Sequence, residues 1–145
     1  MNFIVRHSNQ LSTLAKIIDL RYEVLRQPWK QSRESATDLQ ESECINAYIE
    51  KDNKVIACGR LQVNGPGLGQ VRYMAVKQPY QGKGLGKLIL LNLEQSALIM
   101  KLHTIELQAR ENAVAFYASL GYQTEEKTFK LWDLIQHYRM VKKLG

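Results

Sequence analysis

The sequence predicts a single mixed α/β domain, a central and mostly antiparallel sheet flanked by helices. Three observations predict it. Apolar residues alternate with period two in residues 45–50, 55–63 and 104–109, while helical spacing governs residues 11–25 and 82–100. The elements follow in the order β, α, β, β, β, α, β, α, β, β, so a central hairpin precedes a strand-helix-strand unit and the sheet must be mixed. No repeat, low-complexity tract or linker divides the 145 residues, and 45% hydrophobic against 23% charged residues is enough for one core without metal or disulfide staples.

Residues 3–6 read as a first strand, after which Ser8 or Asn9 is placed to cap a helix with Leu11, Leu14, Ala15, Ile18, Tyr22 and Leu25 on one face. Pro28 is expected to end that helix. Residues 27–43 show no sustained period and carry Glu34, Asp38, Glu41 and Glu43 against Lys30 and Arg33, an acidic connection with room for a short helix. Asp52-Asn53 supplies turn chemistry between two alternating runs, and a glycine cluster at 65–69 makes the next turn into a strand over 70–76. Pro79 closes that strand. A helix apolar over most of its circumference is expected from Gly82 to about Met100, then a strand, a short helix over 112–120 stopped by Gly121, and strands over 122–129 and 136–141.

No apolar run reaches the roughly 18 residues of a membrane span, and Arg6 and His7 interrupt the layout of a secretory signal, so a cytoplasmic protein with no membrane partner is expected. Cys44 and Cys58 lack paired-motif spacing and are expected as buried thiols in neighbouring strands. No His, Cys, Asp or Glu spacing suggests a metal. The net charge of +6 would suit nucleic acid, but the basic residues are scattered and no aromatics interleave with them, so no nucleic-acid partner is expected. A polyanionic small molecule suits that charge equally well.

Gln81-Gly82-Lys83-Gly84-Leu85-Gly86 stands where a strand hands over to a helix. A glycine turn there aims unpaired N–H groups and the positive end of the helix dipole into one small space, which fits phosphate. Gly84 and Gly86 admit close backbone approach, and Gln81 or Lys83 can add side-chain donors. A P-loop would need Ser or Thr where Leu88 stands, and a dinucleotide fingerprint would need Gly or Ala where Lys87 stands. Both readings fail.

The loop resembles that of the GCN5-related N-acetyltransferases (GNAT), whose pattern is Gln or Arg, two residues, Gly, one residue, Gly or Ala; Gln81, Gly84 and Gly86 match it. A second match lies about twenty-five residues downstream, where Asn112, Phe116-Tyr117 and Gly121-Tyr122 resemble the family's Asn, Phe-Tyr and Gly-aromatic segment. The resemblance is good over residues 45–122. Residues 20–28 also resemble the first helix of a bacterial subgroup of small members, which points to no particular substrate.

The resemblance implies a GNAT-like fold, acetyl-CoA as co-substrate and a small-molecule or peptide amine as acceptor. Met74, Ala75 and Val76 would hydrogen-bond the pantetheine arm and supply the oxyanion donor; residues 81–87 (Gln81, Gly82, Lys83, Gly84, Leu85, Gly86 and Lys87) and Asn112 would complete the cofactor site. Tyr117 would protonate the departing sulfur. An acceptor amine with the pKa of lysine, about 10.4, is almost wholly protonated at neutral pH, so a base is also needed. Several family members use a glutamate on the strand before the loop, whereas Gln70 and Arg72 stand here. His137, in the last strand, is the candidate base, directly or through water, with Glu41 and Glu43 behind it and a chain of ordered waters as the alternative. His7 and His103 read as solvated. The acidic connection reads first as a solvated loop; in the implied fold the same segment would help wall the acceptor cleft, where it would attract a cationic amine. Family members commonly pair through sheet edges or C-terminal strands, so a homodimer is an expectation. The missing glutamate motivates a second reading, a non-catalytic acyl-CoA-sensing module of the same fold.

Overall fold

A computed structural model describes residues 2–145 and contains the ten elements in the expected order. The strands are β1 (Arg6–His7), β2 (Ile45–Lys51), β3 (Lys54–Gly65), β4 (Leu68–Val76), β5 (Thr104–Arg110), β6 (Gln123–Leu131) and β7 (Ile135–Lys143). The helices are α1 (Leu11–Arg21), α2 (Leu85–Ile99) and α3 (Val114–Ser119). One sheet of order β1-β2-β3-β4-β5-β7-β6 unites the strands, and every pair is antiparallel except β4 with β5.

Helices cover both faces. Leu14, Ile17 and Leu20 of α1 pack on Tyr48, Val55, Cys58 and Ala75. On the other face, Leu85, Ile89, Leu90, Leu93 and Ala97 of α2 join Leu61, Val71, Ile105 and Met140, together with Tyr117 and Tyr122 at α3. The β2–β3 turn is the expected one, with Asp52 and Asn53 both left-handed at φ 52° and 66°.

Several expectations for the N-terminal third are corrected. The first strand is residues 6 and 7, not 3–6. Gln10 takes the N-cap position of α1 with no side-chain bond; Ser8 Oγ accepts from the Gln10 N–H, and Asn9 Nδ2 donates to Ser42 O and Cys44 O. The buried face of α1 is Leu14, Ile17, Leu20 and Arg21, so Leu11, 86% exposed, lies off it. Pro28 does not stop the chain's coiling either. A wide π turn (Tyr22–Arg26) continues α1, and Pro28 sits inside a 3-10 turn (Gln27–Trp29) that Lys30 ends at φ 57°. The acidic connection holds two further 3-10 turns, Arg33–Ala36 and Glu41–Glu43. Cys44 precedes β2 rather than lying in it; both thiols are free and buried.

The feature that makes a site is the parting of the two parallel strands. β4 and β5 pair only at Leu68↔Thr104, Gly69↔Ile105 and Gln70↔Glu106, and then diverge. A bulge in β4 accounts for the divergence. Cys58 opposes Ala75 and Arg60 opposes Arg72, which leaves Tyr73 and Met74 facing Gly59 alone, with Tyr73 left-handed at φ 55°. An extra residue on one strand bends it away from its neighbour. Gly59 suits the bulge, because a Cβ there would lie 2.5 Å from Met74 Sδ and 2.8 Å from Ile89 Cγ2 and both side chains would have to shift.

Candidate active site

The parted strands enclose a cleft of about 340 Å³. On the α1 face it is lined by Leu25 and Arg26 of the π turn, Arg72 and Tyr73 of β4, Arg110 of β5 and His137 of β7. Arg110 and His137 are neighbours across the β5–β7 ladder and therefore share that face. Met74, Ala113 and Tyr117 also line it.

The glycine loop stands at the end of β4. After a 3-10 turn (Gln78–Tyr80), Gly82 and Gly84 are left-handed at φ 77° and 83°, and a Cβ on either would meet no atom of the chain within 4 Å. The space beside them is open, and only glycine takes that conformation without strain. Gly84 is the N-cap of α2 and brings no side chain, so the N–H groups of Leu85, Gly86 and Lys87 emerge from the first turn uncapped. Helix α2 thus begins at Leu85, not Gly82. A Cβ on Gly86 would lie 3.3 Å from Phe116 of α3 and 3.7 Å from Val76 of β4, so the loop joins the ends of the strand and the short helix.

The side chains of the loop are disposed unevenly. Gln81 Nε2 donates to Val76 O at 2.9 Å, bracing the loop on β4 instead of reaching outward. Lys83 and Lys87 are exposed, Lys83 with its ammonium 5.6 Å from the Tyr80 ring. Lys77 N–H donates to Ile56 O, and ladder alternation therefore turns the Val76 N–H toward the open side of β4 and pairs Ala75 with Cys58. Asn112 is exposed in a 3-10 turn (Glu111–Ala113) at the end of β5, one residue from Ala113 of the cleft.

Tyr117 is buried between Phe116 and Tyr122, edge-on to both, at centroid distances of 5.0 and 5.9 Å. Burial raises its pKa against a smaller opposing effect of Arg110, so the hydroxyl keeps its proton at neutral pH. His137 is stacked on Phe129 at 4.5 Å, and its Nδ1 lies 3.0 Å from Ile135 O. A carbonyl only accepts, so Nδ1 carries the proton of the neutral ring and Nε2 holds the free lone pair. Burial lowers the His137 pKa, partly offset by the Ile135 bond and reinforced by Arg110 and Arg26. His7 and His103 lie on the surface, outside the cleft.

The acidic connection does not wall the cleft as an anionic surface; of the two readings of that segment, the solvated one describes Glu34 and Glu43. Glu34 and Glu43 are exposed elsewhere, and Glu41 and Asp38 are consumed in ion pairs. Arg21 contacts Glu41 at 2.5 Å and Arg60 contacts it at 3.1 Å, while Arg60 grips both Asp38 oxygens at 2.8 Å. Burial would raise the Glu41 pKa, but bonds from Arg21, Thr37 and Arg60 outweigh it and hold the carboxylate ionised. A glutamate so held is a poor proton acceptor, so Glu41 is structural. Arg21, Arg60 and Arg72 also crowd the Tyr73 ring at 4.4, 4.9 and 4.6 Å, fixing the bulge residue from three sides.

Sequence reasoning missed Arg26, Tyr73 and Arg110 as cleft residues. The available signal was strand parity, which sets Arg72 and Gln70 on one face of β4; nothing local placed Arg26 against Arg110.

Among the described residues no three His, Cys, Asp or Glu side chains gather as a metal site, and no helix is long and apolar enough to cross a membrane. Comparison with known proteins agrees with the geometry. The "Uncharacterized protein YyaT" of Bacillus subtilis is 28% identical over 108 residues, 74% of this chain and 72% of that protein. A candidate N-acetyltransferase from Lactobacillus plantarum superposes with a TM-score of 0.88 at 20% identity over 100% of both chains. The PaiA N-acetyltransferase of Thermoplasma acidophilum, solved with coenzyme A, gives 0.78 at 17% identity over 99% of each chain. The profile of the acetyltransferase (GNAT) family matches residues 14–122, and the chain, with its parted parallel strands and glycine loop, belongs to that family.

Proposed function

We propose that the protein transfers an acetyl group from acetyl-CoA to a primary amine by direct attack, with both substrates bound together. The observation that carries the reading is that Tyr117 and His137, an acid and a base in complementary protonation states, line one cleft between the parted strands. The thioester supplies the activated acyl group. The rest of the chemistry falls to this chain's side chains and backbone.

The uncapped first turn of α2 and the open left-handed glycines suit a pyrophosphate, with Lys83 and Lys87 exposed beside it. The free edge of β4, with the Val76 N–H, suits an extended pantetheine arm and a donor to developing negative charge. His137 Nε2 accepts the proton of the incoming amine, directly or through water, and the Tyr117 hydroxyl delivers one to the leaving sulfur. Asn112, exposed at the end of β5, belongs to the same cofactor side. The reading takes the protein to be cytoplasmic, acting on an amine acceptor and not on nucleic acid or membrane.

Calorimetric titration of acetyl-CoA tests the first half. One-site binding is expected in the wild type and none in Gly84→Glu, whose carboxylate would stand in the anion cradle, with the far-UV spectrum of the variant unchanged. Thiol release in an amine screen tests the second half. Tyr117→Phe should retain acetyl-CoA affinity and lose about 10²–10⁴-fold in kcat. Tight binding with no turnover on any amine would instead support the acyl-CoA-sensing module.

A further inference from the structure

The charged residues lining the cleft are Arg26, Arg72 and Arg110, with His137 beside them and no carboxylate. Such a lining is unusual for a site that is to receive an amine. An arginine kept from water is ordinarily matched by an acid, and in this chain Arg21 and Arg60 follow that rule. Arg26 and Arg110 do not. Arg26 donates only to Ser35 O and Leu25 O, and Arg110 only to Leu25 O. Among the described residues neither meets a carboxylate. Burial and the proximity of Arg26 pull the Arg110 pKa down to about 10, and burial likewise lowers that of Arg26. Both guanidiniums remain charged at neutral pH and line the cleft, each with N–H groups that no atom of the described residues engages.

Arg72 completes the set at the rim, with one long bond of 3.4 Å to an Asp38 already held by Arg60. Leu25, Phe129 and Leu131 supply apolar surface beside them, with Gln70 and Gln108 as the neutral polar side chains of the lining. The volume, about 340 Å³, is at the small end for ligand pockets and must also admit the thioester end of the donor. That leaves room for a compact acceptor.

We propose that the acceptor is a small amino acid-like amine with an apolar side chain, whose free carboxylate is held by Arg26, Arg72 and Arg110. The inference rests on the transferase reading of the cleft. It reverses the sequence expectation of a cationic acceptor drawn by acidic walls: the selected charge is the anion, and the amine is presented toward His137.

The test compares acceptors that differ only in the anionic group. With acetyl-CoA saturating, L-leucine should exceed both L-leucinamide and 3-methylbutylamine in kcat/KM by about tenfold or more, the worth of a charge-assisted pair out of water. The amide has the more easily deprotonated amine, so a preference for the acid cannot arise from amine availability. A binding arm needs no chemistry: N-acetyl-L-leucine should bind about tenfold more tightly than its amide by calorimetry. Arg110→Gln should erase that difference. Arg72→Gln should reduce it in a folded protein, since Arg72 is 39% exposed and lightly bonded.

Equal use of leucine, leucinamide and the simple amine would overturn the inference and leave the transferase standing. Acid-selective binding without turnover of any amine would uphold the arginine carboxylate site, overturn its occupant as an acceptor and count against the transferase. Equal or undetectable binding of N-acetyl-L-leucine and its amide would overturn it whatever the turnover.

Discussion

At the scale of single residues, burial sets the protonation states of the two groups proposed as acid and base. His137 has Phe129 against its ring, Ile135 O on Nδ1, and Arg110 and Arg26 as the nearest charges; only the carbonyl favours the charged form. Its folded pKa therefore falls below the ordinary 6.5, and the neutral base persists at and below pH 7. In a pH profile, kcat/KM should hold down to pH 6.5 and then decline as His137 protonates. His137→Gln keeps much of the size while removing the base, and should cost about 10²–10⁴-fold at pH 7.5 and abolish that acidic limb. A profile with the limb intact in the variant would assign it to another group. Folding responds in the same direction: the unfolded chain takes up the proton first, so His137 costs stability as pH drops through about 6.5. The place of Tyr117 beside the cleft was legible because its motif is local, whereas the tautomer of His137 was not, since it depends on a carbonyl presented by the β7 backbone.

At the scale of elements, α1 shows why periodicity alone can choose the wrong face. Leu11, Leu14 and Ile18 form one stripe and Leu14, Ile17 and Leu20 another, and apolar counting does not separate them. Arg21 decides. Its guanidinium finds Glu41, Asn46 and Ala36 O from elements distant in sequence, and burying it turns Ile17 and Leu20 inward with it. A charged residue in the core is invisible to a hydrophobic pattern until its partners are known. Ile17→Ala should therefore lose about 2–5 kcal/mol in chemical denaturation, and Leu11→Ala less than about 0.5. The β4 bulge is a second such case. Alternation located β4, but the extra residue at Tyr73 and Met74 appears only when β3 supplies Gly59 opposite it. Gly59→Ala should cost about 1–3 kcal/mol, because Met74 and Ile89 must both move. It should also weaken acetyl-CoA binding, since Met74 is part of the strand that the proposal assigns to the cofactor.

At the scale of the whole molecule, one ion network ties the α1 layer, the acidic connection and the sheet together beneath the cleft. Element order was readable from the sequence because alternation, turn chemistry and helix spacing are local signals that agree. The network was not, because Arg21, Asp38, Glu41 and Arg60 come from three segments, α1, the acidic connection and β3, and each looks like a surface residue in isolation. Glu41→Ala would strand Arg21 and Arg60 without their shared carboxylate, and should destabilise by about 3–5 kcal/mol. Asp38 makes the network sensitive to acid. The bonds from Arg60 hold its pKa at about 2, against an ordinary 3.8. Above about pH 4 the carboxylate is ionised in both folded and unfolded chains, and its stabilisation is complete. As pH falls from 4 to 2 the unfolded chain binds the proton and the folded chain does not, so stability drops by about 2 kcal/mol from this group. The side chain is 29% exposed, so added salt should trim that figure without removing it. In urea denaturation at successive pH values, Asp38→Asn should start lower at pH 6 and lose less than the wild type between pH 4 and 2. Parallel curves for the two proteins over that interval would show that Arg60 draws no stability from the Asp38 charge, and that its place beneath the cleft is held by Glu41 alone.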